Sequence, residues 1–334
     1  MITRRTFLSA LPAAGAALAQ EAAPPIYDLL LKNGQVFDPK NNRNGRFDIA
    51  VIGNKIARIA PDLPAAHARQ AISVADYHVT PGLIDIHTHF FANGPDDCLQ
   101  PDHNALPNGV TTAVDAGSSG HKSFEAFKSG TIDKSRTRLL AWLNIVGAGM
   151  YGPKVENDVS EMDAAACANM VKKYPNIIVG IKTAHFVPPT WDAADRAVEA
   201  GRLSGTPVMV DFWPKPTRNY ADLLLKHMRP GDIHTHFYAI GTAPLDADKK
   251  IQPYVLEARR RGVLFDVGHG NGSFWFRVAV PAIQQGFLPD SISTDIHKRS
   301  IMIPRANMMT TMSKFLNMGL SFEQVVERST VNPA

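Results

Sequence analysis

From residue 80 onward, short apolar runs alternate with stretches that are long enough to form a helix. The runs are apolar at consecutive positions, which is typical of parallel strands buried on both faces. The predicted strands are Gly82–His89, Thr111–Gly117, Arg138–Val146, Ile177–His185, Pro207–Phe212, Asp232–Phe237, Gly262–Gly268 and Ser291–His297, and two of the predicted helices are Asp192–Ser204 and Gln252–Arg261. Eight strand–helix units predict a TIM (β/α)8 barrel over residues 80–334, with an open doubly wound sheet as the alternative.

Residues 26–79 have a different pattern, in which short strands are separated by turn residues. Gly53-Asn54 lies between two apolar stretches and predicts a hairpin. Asn33-Gly34 gives a similar turn signal between two apolar pieces. We therefore expect a small antiparallel, β-sandwich-like domain in front of the barrel.

Histidines gather at the ends of the predicted strands. Seven of the twelve lie at or beside the C-terminal end of a strand: His87, His89, His185, His234, His236, His269 and His297. Active sites of a (β/α)8 barrel form at this end. On a strand, the side chains of His87 and His89 project to the same side, so this pair offers half of a metal site.

Three further features at strand ends suit metal chemistry. Lys182 ends an apolar run, where its charge is costly unless it is paired or modified. Desolvation lowers the pKa of a lysine, and a neutral amine can take up CO₂ to form a carbamate that bridges two metal ions. His234-Thr-His236 repeats the His-x-His spacing, and Asp295 supplies a carboxylate. These nitrogen and oxygen donors predict a site for zinc or a similar divalent ion.

Five segments resemble those of one enzyme family. Pro81-Gly-Leu-Ile-Asp-Ile-His-Thr-His resembles the strand-one signature of the metal-dependent amidohydrolase superfamily. Gly109-Val-Thr-Thr-Ala-Val-Asp-Ala-Gly-Ser, Gly180-Ile-Lys-Thr, Gly268-His-Gly-Asn-Gly-Ser-Phe and Ile292-Ser-Thr-Asp-Ile-His together resemble its amidohydrolase/deacetylase branch, which is related to dihydroorotases. The resemblance implies a TIM barrel with a small β domain. In relatives, strands after the barrel complete that domain, whereas this sequence stops at Ala334. We therefore expect the C-terminal part of the domain to be missing, and the alternative is a minimal small domain.

The resemblance also implies roles for individual residues. His87 and His89 would bind the more buried metal, and a carbamylated Lys182 would bridge two metals. His236 would bind the second metal. Asp295 would be both a metal ligand and the catalytic proton shuttle.

The strand-five position departs from the family pattern, because this chain has Asp211 where members usually have a histidine. Asp211 either coordinates the metal, favours a different metal, or leaves a site for one metal only. We therefore expect one or two divalent ions per chain, most simply Zn²⁺. The remaining strand-end histidines are candidates for substrate binding: His185, His234, His269 and His297. His234 is also an alternative to His236 as a metal ligand.

These features predict a hydrolase that cleaves an amide or ester carbonyl of a small-molecule substrate. Deacylation of an N-acyl amino acid or a similar acyl compound is the favoured reaction. Opening of a cyclic amide, as dihydroorotases perform it, is the alternative. A third interpretation is a catalytically decayed barrel that acts as a binding protein.

Residues 1–19 predict an export signal. Arg4 and Arg5 precede an apolar stretch from Leu8 to Leu18, and Ala17-Leu-Ala19 supplies the small residues of a cleavage site. The paired arginines favour the twin-arginine export machinery as a partner, with an ordinary secretory signal as the alternative. The expected location is the periplasm or the medium. The apolar segment is too short for a stable membrane anchor. Without Arg4 and Arg5 the formal charge falls from +4 to +2, which indicates no nucleic-acid partner. The sequence does not determine whether the protein forms an oligomer.

Overall fold

The structure is a computed structural model that describes residues 26–302 and 305–334. The export signal predicted for residues 1–19 lies outside these residues and stays a prediction. The chain divides into two compact units. The described part of one unit is residues 26–37 with Arg43–Val79, and the other unit is Asp38–Asn42 with Thr80–Ala334.

The N-terminal unit is a five-stranded sheet in the order β3-β2-β1-β4, with β5 also paired to β1. Its strands are β1 (Tyr27–Asp38), β2 (Arg43–Ile52), β3 (Lys55–Ala60), β4 (Ala68–Ser73) and β5 (His78–Val79). β2 and β3 pair antiparallel through a turn at Gly53-Asn54, so the predicted hairpin is confirmed. β1 pairs in parallel with β4 and β5, so the expectation of an antiparallel unit is wrong for these strands.

The turn predicted at Asn33-Gly34 does not form, because β1 runs through both residues. Asn33 has a left-handed φ of 62°, and its backbone N–H donates to the Asp48 carboxylate at 2.7 Å. Asp48 is buried and also accepts hydrogen bonds from the Lys32 ammonium and the Leu63 backbone N–H. With three hydrogen-bond donors, the buried Asp48 carboxylate is well satisfied. Its hydrogen bond to Asn33 stabilises the left-handed conformation of that residue inside β1.

The second unit contains seven parallel strands that form one curled sheet, in the order β12-β11-β10-β9-β8-β7-β6. These strands are β6 (Leu83–Thr88), β7 (Val110–Gly120), β8 (Arg138–Asn144), β9 (Ile178–Thr183), β10 (Val208–Val210), β11 (Ile233–His234) and β12 (Leu264–Phe265). Each overlaps the run predicted for it, and each pairs with its neighbour in chain order. The predicted barrel class, rather than a doubly wound sheet, is confirmed.

The eighth predicted run does not form a regular strand. Residues 291–296 make two isolated parallel bridges, from Ser291 to Asp266 directly after β12 and from Ile296 to Thr88 on β6. The Thr294 N–H donates to the Asp85 carboxylate at 3.1 Å, so a side chain takes a donor that a regular ladder would use. The two bridges nevertheless reach both edges of the seven-stranded sheet, as the closure of a barrel requires.

Helices follow most of these strands. The α-helices of the described residues are α1 (Pro101–Asn104), α2 (Phe124–Gly130), α3 (Pro153–Glu156), α4 (Ala164–Lys173), α5 (Asp192–Ser204), α6 (Tyr220–Asp222), α7 (Pro253–Arg260), α8 (Phe276–Gln284), α9 (Met308–Asn317) and α10 (Phe322–Glu327). A π-helical turn, Leu223–His227, continues α6, and short 3₁₀ turns occupy Pro39–Asn41, Ala65–His67, Leu106–Asn108, Ile132–Lys134 and Val159–Glu161. Over residues 26–302 and 305–334, no helix has the length and hydrophobicity that a bilayer crossing needs.

α5 has the bounds predicted from the sequence and shows why a helix forms there. Its buried face consists of small residues, including Ala193, Ala197 and Ala200, which lets the helix pack closely against β9 and β10. The helix ends at Ser204, and Gly205 caps it with a left-handed φ of 73°, a conformation that favours glycine. Such helices bury one face of the strands and leave the C-terminal strand ends to carry polar side chains.

Candidate metal centre

Three strand ends converge on one cluster of ligand atoms. His87 lies in β6, His236 lies two residues beyond β11, and Asp295 lies in the eighth segment. One ligand atom from each of these buried residues falls within 4.8 Å of the other two. Two imidazole nitrogens and a carboxylate oxygen at this spacing can hold a divalent metal ion.

The His87 ring is oriented from behind by a hydroxyl group. Its Nδ1 lies 2.8 Å from the Thr235 Oγ1, and the Thr235 hydroxyl donates to the Asp266 carboxylate at 2.7 Å. This leaves the His87 Nε2 facing the cluster, 3.5 Å from the Asp295 Oδ1. Burial, together with the nearby Lys182, lowers the pKa of His87 to about 3, so the ring is the neutral form that binds metal.

His89 approaches Asp295 from the same strand end. Its Nε2 lies 3.1 Å from the Asp295 Oδ1, and its Nδ1 lies 2.9 Å from the Ser118 Oγ. Ser118 is in turn fixed at the end of β7, because its backbone N–H donates to the buried Asp115 carboxylate at 2.8 Å. Both members of the first His-x-His pair therefore direct Nε2 towards the same carboxylate.

Lys182 lies beside this cluster at the end of β9. Its side chain is fully buried, and its Nζ lies 3.3 Å from the His87 Nε2. Burial lowers the pKa of this amine, which favours the uncharged, nucleophilic form. Gly117 on β7 makes room for the side chain, since a Cβ there would lie 2.7 Å from the Lys182 Cγ.

Asp295 sits in an unusual backbone conformation, with a φ of 47°. Burial alone would raise the pKa of its carboxyl group, but the surrounding imidazoles of His87, His89 and His236 hold that pKa well below its usual range. The group is therefore a carboxylate at neutral pH. It can accept a proton or bind a metal ion in that form.

Asp211 meets the cluster at His236. The Asp211 Oδ2 lies 3.7 Å from the His236 Nε2, and the His236 Nδ1–H donates to the Gly268 carbonyl at 2.5 Å. A Cβ at Gly268 would lie 2.7 Å from the His236 Nδ1, so glycine is needed for this approach. The structure thus brings all six predicted metal ligands to one site: His87, His89, Lys182, Asp211, His236 and Asp295.

These six residues line a cavity of about 690 Å³ at the C-terminal strand ends. Two of the four predicted substrate-binding histidines, His185 and His297, also line it. The His297 Nε2 lies 3.9 Å from the Asp295 Oδ2. The His185 Nδ1 lies 2.6 Å from the Glu156 Oε2. Desolvation alone would lower the pKa of His185, but this contact with Glu156 raises it.

The structure does not place His234 among the residues that line this cavity. Its Nδ1 lies 3.3 Å from the Val210 carbonyl oxygen, and its ring packs near the rings of Tyr220 and Phe265. β11 ends at His234, and the backbone then turns to a φ of 59° at His236. The alternation of a strand therefore does not continue from His234 to His236, and the two rings do not share a face.

His269 is also absent from the residues that line this cavity. Its Nδ1 lies 3.0 Å from the Gly270 carbonyl oxygen, its Nε2 lies 2.7 Å from the Lys314 Nζ, and its ring stacks on Phe274. The residue is buried, and both ring nitrogens are engaged. These contacts hold the ring against Phe274 and against Lys314 of α9, and the substrate contact predicted for His269 stays a prediction.

Two residues that sequence reasoning did not select support the site. Asp266 lies 3.8 Å from the His87 Nδ1 and accepts hydrogen bonds from three hydroxyl groups, those of Thr235, Ser291 and Ser293. The sequence contains a signal for Asp266, because this carboxylate lies within an apolar predicted strand. Glu156 gave no such signal, since it lies in a polar stretch 29 residues from the histidine that it contacts.

Comparisons with known proteins agree with this architecture. No protein-family model matches the chain. It is 33% identical over 297 residues to a deacetylase of Agrobacterium fabrum, which covers 86% of this chain and 72% of that protein. It is 31% identical over 318 residues to a deacetylase of Enterococcus faecalis, which covers 92% of this chain and 84% of that protein. Among solved structures, a dihydroorotase aligns with a TM-score of 0.81 and 31% identity, over 92% of this chain and 83% of the other. The chain therefore belongs to the amidohydrolase superfamily, in its dihydroorotase-related branch, and is a hydrolase of the amidohydrolase type that acts on C–N bonds.

Proposed function

We propose that this enzyme is a metal-dependent deacylase that hydrolyses an N-acyl amino acid or a similar acyl compound. The observation that carries the proposal is the cluster of His87, His236 and Asp295, whose ligand atoms lie within 4.8 Å of one another. Lys182 lies directly beside this cluster.

The donor set fits zinc, which takes imidazole nitrogens and carboxylate oxygens. His87, His89 and Asp295 would hold the more buried ion, and His236 with Asp211 would hold the second. The uncharged Lys182 amine would add to CO₂, forming an N–C bond and releasing one proton. The resulting carbamate would supply the oxygen ligands that a buried ammonium lacks.

A divalent ion in this site supplies Lewis acidity, which lowers the pKa of water towards about 7 and polarises a carbonyl group. Asp295 then has the position and the charge of a general base. It accepts the proton of the attacking water and returns it to the leaving nitrogen as a general acid. The low pKa of Asp295 keeps it ionised before the attack.

The substrate class is supported by the cavity and by the named relatives. Cys98, Met150 and Tyr151 also line the cavity and give it apolar surface that suits an acyl group. The curated relatives that cover most of this chain are named deacetylases. Cyclic amide opening is the second candidate, because a dihydroorotase structure aligns with a TM-score of 0.81.

The test is hydrolysis of a substrate panel by the zinc-loaded enzyme, with and without a chelator. The panel contains N-acetyl amino acids, acetyl esters and cyclic amides, and an Asp295→Asn variant is measured beside the wild type. We expect chelator-sensitive hydrolysis of the N-acyl compounds, reduced in the variant by a factor on the order of 10² to 10⁴. Turnover of the cyclic amides alone would favour the second candidate. No hydrolysis by a metal-loaded protein would favour a decayed barrel that binds ligands.

We also propose that the enzyme is exported by the twin-arginine route to the periplasm or the medium. The support is the Arg4-Arg5 pair before an apolar stretch in the sequence. Fractionation of cells that express the full chain tests this. A variant with both arginines changed to lysine is expected to stay in the cytoplasm, and equal export of the variant would contradict the proposal.

A further inference from the structure

His185 follows β9 at a position where the backbone leaves the strand, with a left-handed φ of 57°. Its Nε2 lies 3.8 Å from the Asp211 Oδ2, and that oxygen lies 3.7 Å from the His236 Nε2. Side chains that follow three consecutive strands, β9, β10 and β11, therefore meet at one carboxylate oxygen. All three line the same cavity.

The orientation of His185 matches that of the predicted ligand histidines. In His87, His89 and His236, Nδ1 faces a hydrogen-bond partner, and Nε2 is left for the cluster. In His185, Nδ1 faces the Glu156 Oε2 at 2.6 Å, and Nε2 is left for Asp211. A partner on the second ring nitrogen is the arrangement that fixes the tautomer and direction of a metal-bound histidine.

Glu156 is placed to hold this ring. It is 4% exposed, and its Oε1 accepts the Gly152 backbone N–H at 2.9 Å, which leaves Oε2 for His185. A buried carboxylate needs such partners to offset its desolvation. The His185 side chain is 55% exposed, so Glu156, rather than tight packing, sets its orientation.

Asp211 explains why an additional nitrogen matters at this place. The family resemblance implies a histidine on strand five, and an aspartate there removes one imidazole from the second metal position. His185 restores it. With bonds of about 2.0–2.2 Å, two ligands of one ion lie at most about 4.4 Å apart, and both spacings at the Asp211 Oδ2 are shorter than this.

We propose that His185, oriented by Glu156, is a ligand of a second divalent ion, together with Asp211 and His236. This inference rests on the proposed metal-dependent function. It replaces the substrate contact predicted for His185, and the two roles differ in a measurable way. Loss of a ligand removes an ion, whereas loss of a substrate contact changes KM at constant metal content.

The test compares the wild type with His185→Ala, Glu156→Gln and His103→Ala, all produced with zinc and bicarbonate. His103 is the matched control, because it is an exposed histidine on α1 that does not line the cavity. Elemental analysis counts the bound zinc per chain. The visible absorption of the Co²⁺-loaded proteins reports a change in the ligand set, and circular dichroism verifies that each variant is folded.

We expect two ions in the wild type and in His103→Ala, and one ion in His185→Ala with an altered Co²⁺ spectrum. Glu156→Gln should lose the second ion at a chelator concentration about 10-fold to 100-fold lower than the wild type. Two ions and an unchanged spectrum in His185→Ala would overturn the inference, and so would a single ion in the wild type. In both cases, chelator-sensitive hydrolysis would leave the proposed function standing. No ion and no chelator-sensitive hydrolysis in the wild type would overturn both.

Discussion

Gly270, in the loop after β12, lies close to Asp295, the proposed general base. A single methyl group added at Gly270 therefore tests whether the position of the Asp295 carboxylate limits the reaction. A Cβ at Gly270 would lie 2.3 Å from the Asp295 Oδ2, and the φ of Gly270 is 52°. Reaching 3.4 Å, where ordinary van der Waals contact begins, requires a shift of about 1.1 Å. The loop cannot easily move away, because the Gly270 N–H donates to the Thr294 carbonyl at 2.9 Å. The carboxylate therefore has to move.

Misplacement of a catalytic group by about 1 Å can reduce the rate on the order of 100-fold. We therefore expect Gly270→Ala to lower kcat/KM by about 100-fold. The left-handed φ adds a cost of roughly 1–2 kcal/mol to the free energy of folding. The assay is steady-state hydrolysis of the best substrate of the panel, with urea unfolding to measure stability.

Gly272→Ala is the matched control for this experiment. It adds the same methyl group to the same loop, but no atom lies within 4 Å of its Cβ. We expect near wild-type kinetics for this variant. If Gly270→Ala had wild-type kcat/KM at unchanged metal content, the position of the Asp295 carboxylate would not limit the reaction, and the reasoning would be refuted.

Three further predictions concern residues that hold the site or the N-terminal sheet. Thr235→Val removes the hydroxyl at the His87 Nδ1 and should weaken metal affinity about 10-fold to 100-fold, measured by chelator competition; unchanged affinity would show that this contact does not orient the ring. Lys182→Ala should lose metal even with bicarbonate present, and ¹³C-bicarbonate should give a carbamate carbon signal in the NMR spectrum of the wild type only; a signal in both proteins would exclude this lysine. Asp48→Asn should lower the free energy of unfolding by about 1–3 kcal/mol at neutral pH, because a buried acceptor of the Lys32 charge is lost. Burial alone would raise the pKa of Asp48, but Lys32 and two backbone N–H groups lower it below the ordinary value of 3.8. The ionised Asp48 therefore contributes its full stability above pH 3.8, and this contribution is lost as the pH falls through the lower pKa of the folded state. Urea unfolding from about pH 7 down to pH 3 should show this loss in the wild type, and an equal loss in the variant would contradict it.

The sequence indicated donors that the structure brings together where strand-end chemistry is local. His87 and His89 alternate on a strand whose bounds the apolar run defines, and the structure directs both Nε2 atoms to Asp295. Lys182 and Asp295 stood out because charged side chains at the ends of apolar runs are costly without partners. The approach of these ends follows from parallel strand order, which the run of strand–helix units indicates.

The same reasoning failed where the backbone leaves ideal geometry. The spacing of His234 and His236 is that of His87 and His89, but a φ of 59° at His236 breaks the alternation. The apolar run around Ile292 predicted a strand, and a side-chain acceptor on another strand interrupts its ladder. Positive φ values and side-chain competition for backbone donors depend on neighbours that are distant in the chain.

The sequence by itself determined the barrel, the small sheet unit that precedes it in the chain, and the set of donors at the strand ends. These follow from hydrophobic periodicity and residue chemistry, which are local properties. Only the tertiary structure decided which donors meet. It placed His269 against Lys314, and it joined His185 to Glu156 across 29 residues of chain. Such pairings arise when packed strands and loops bring distant residues together, and periodicity within one segment carries no information about them.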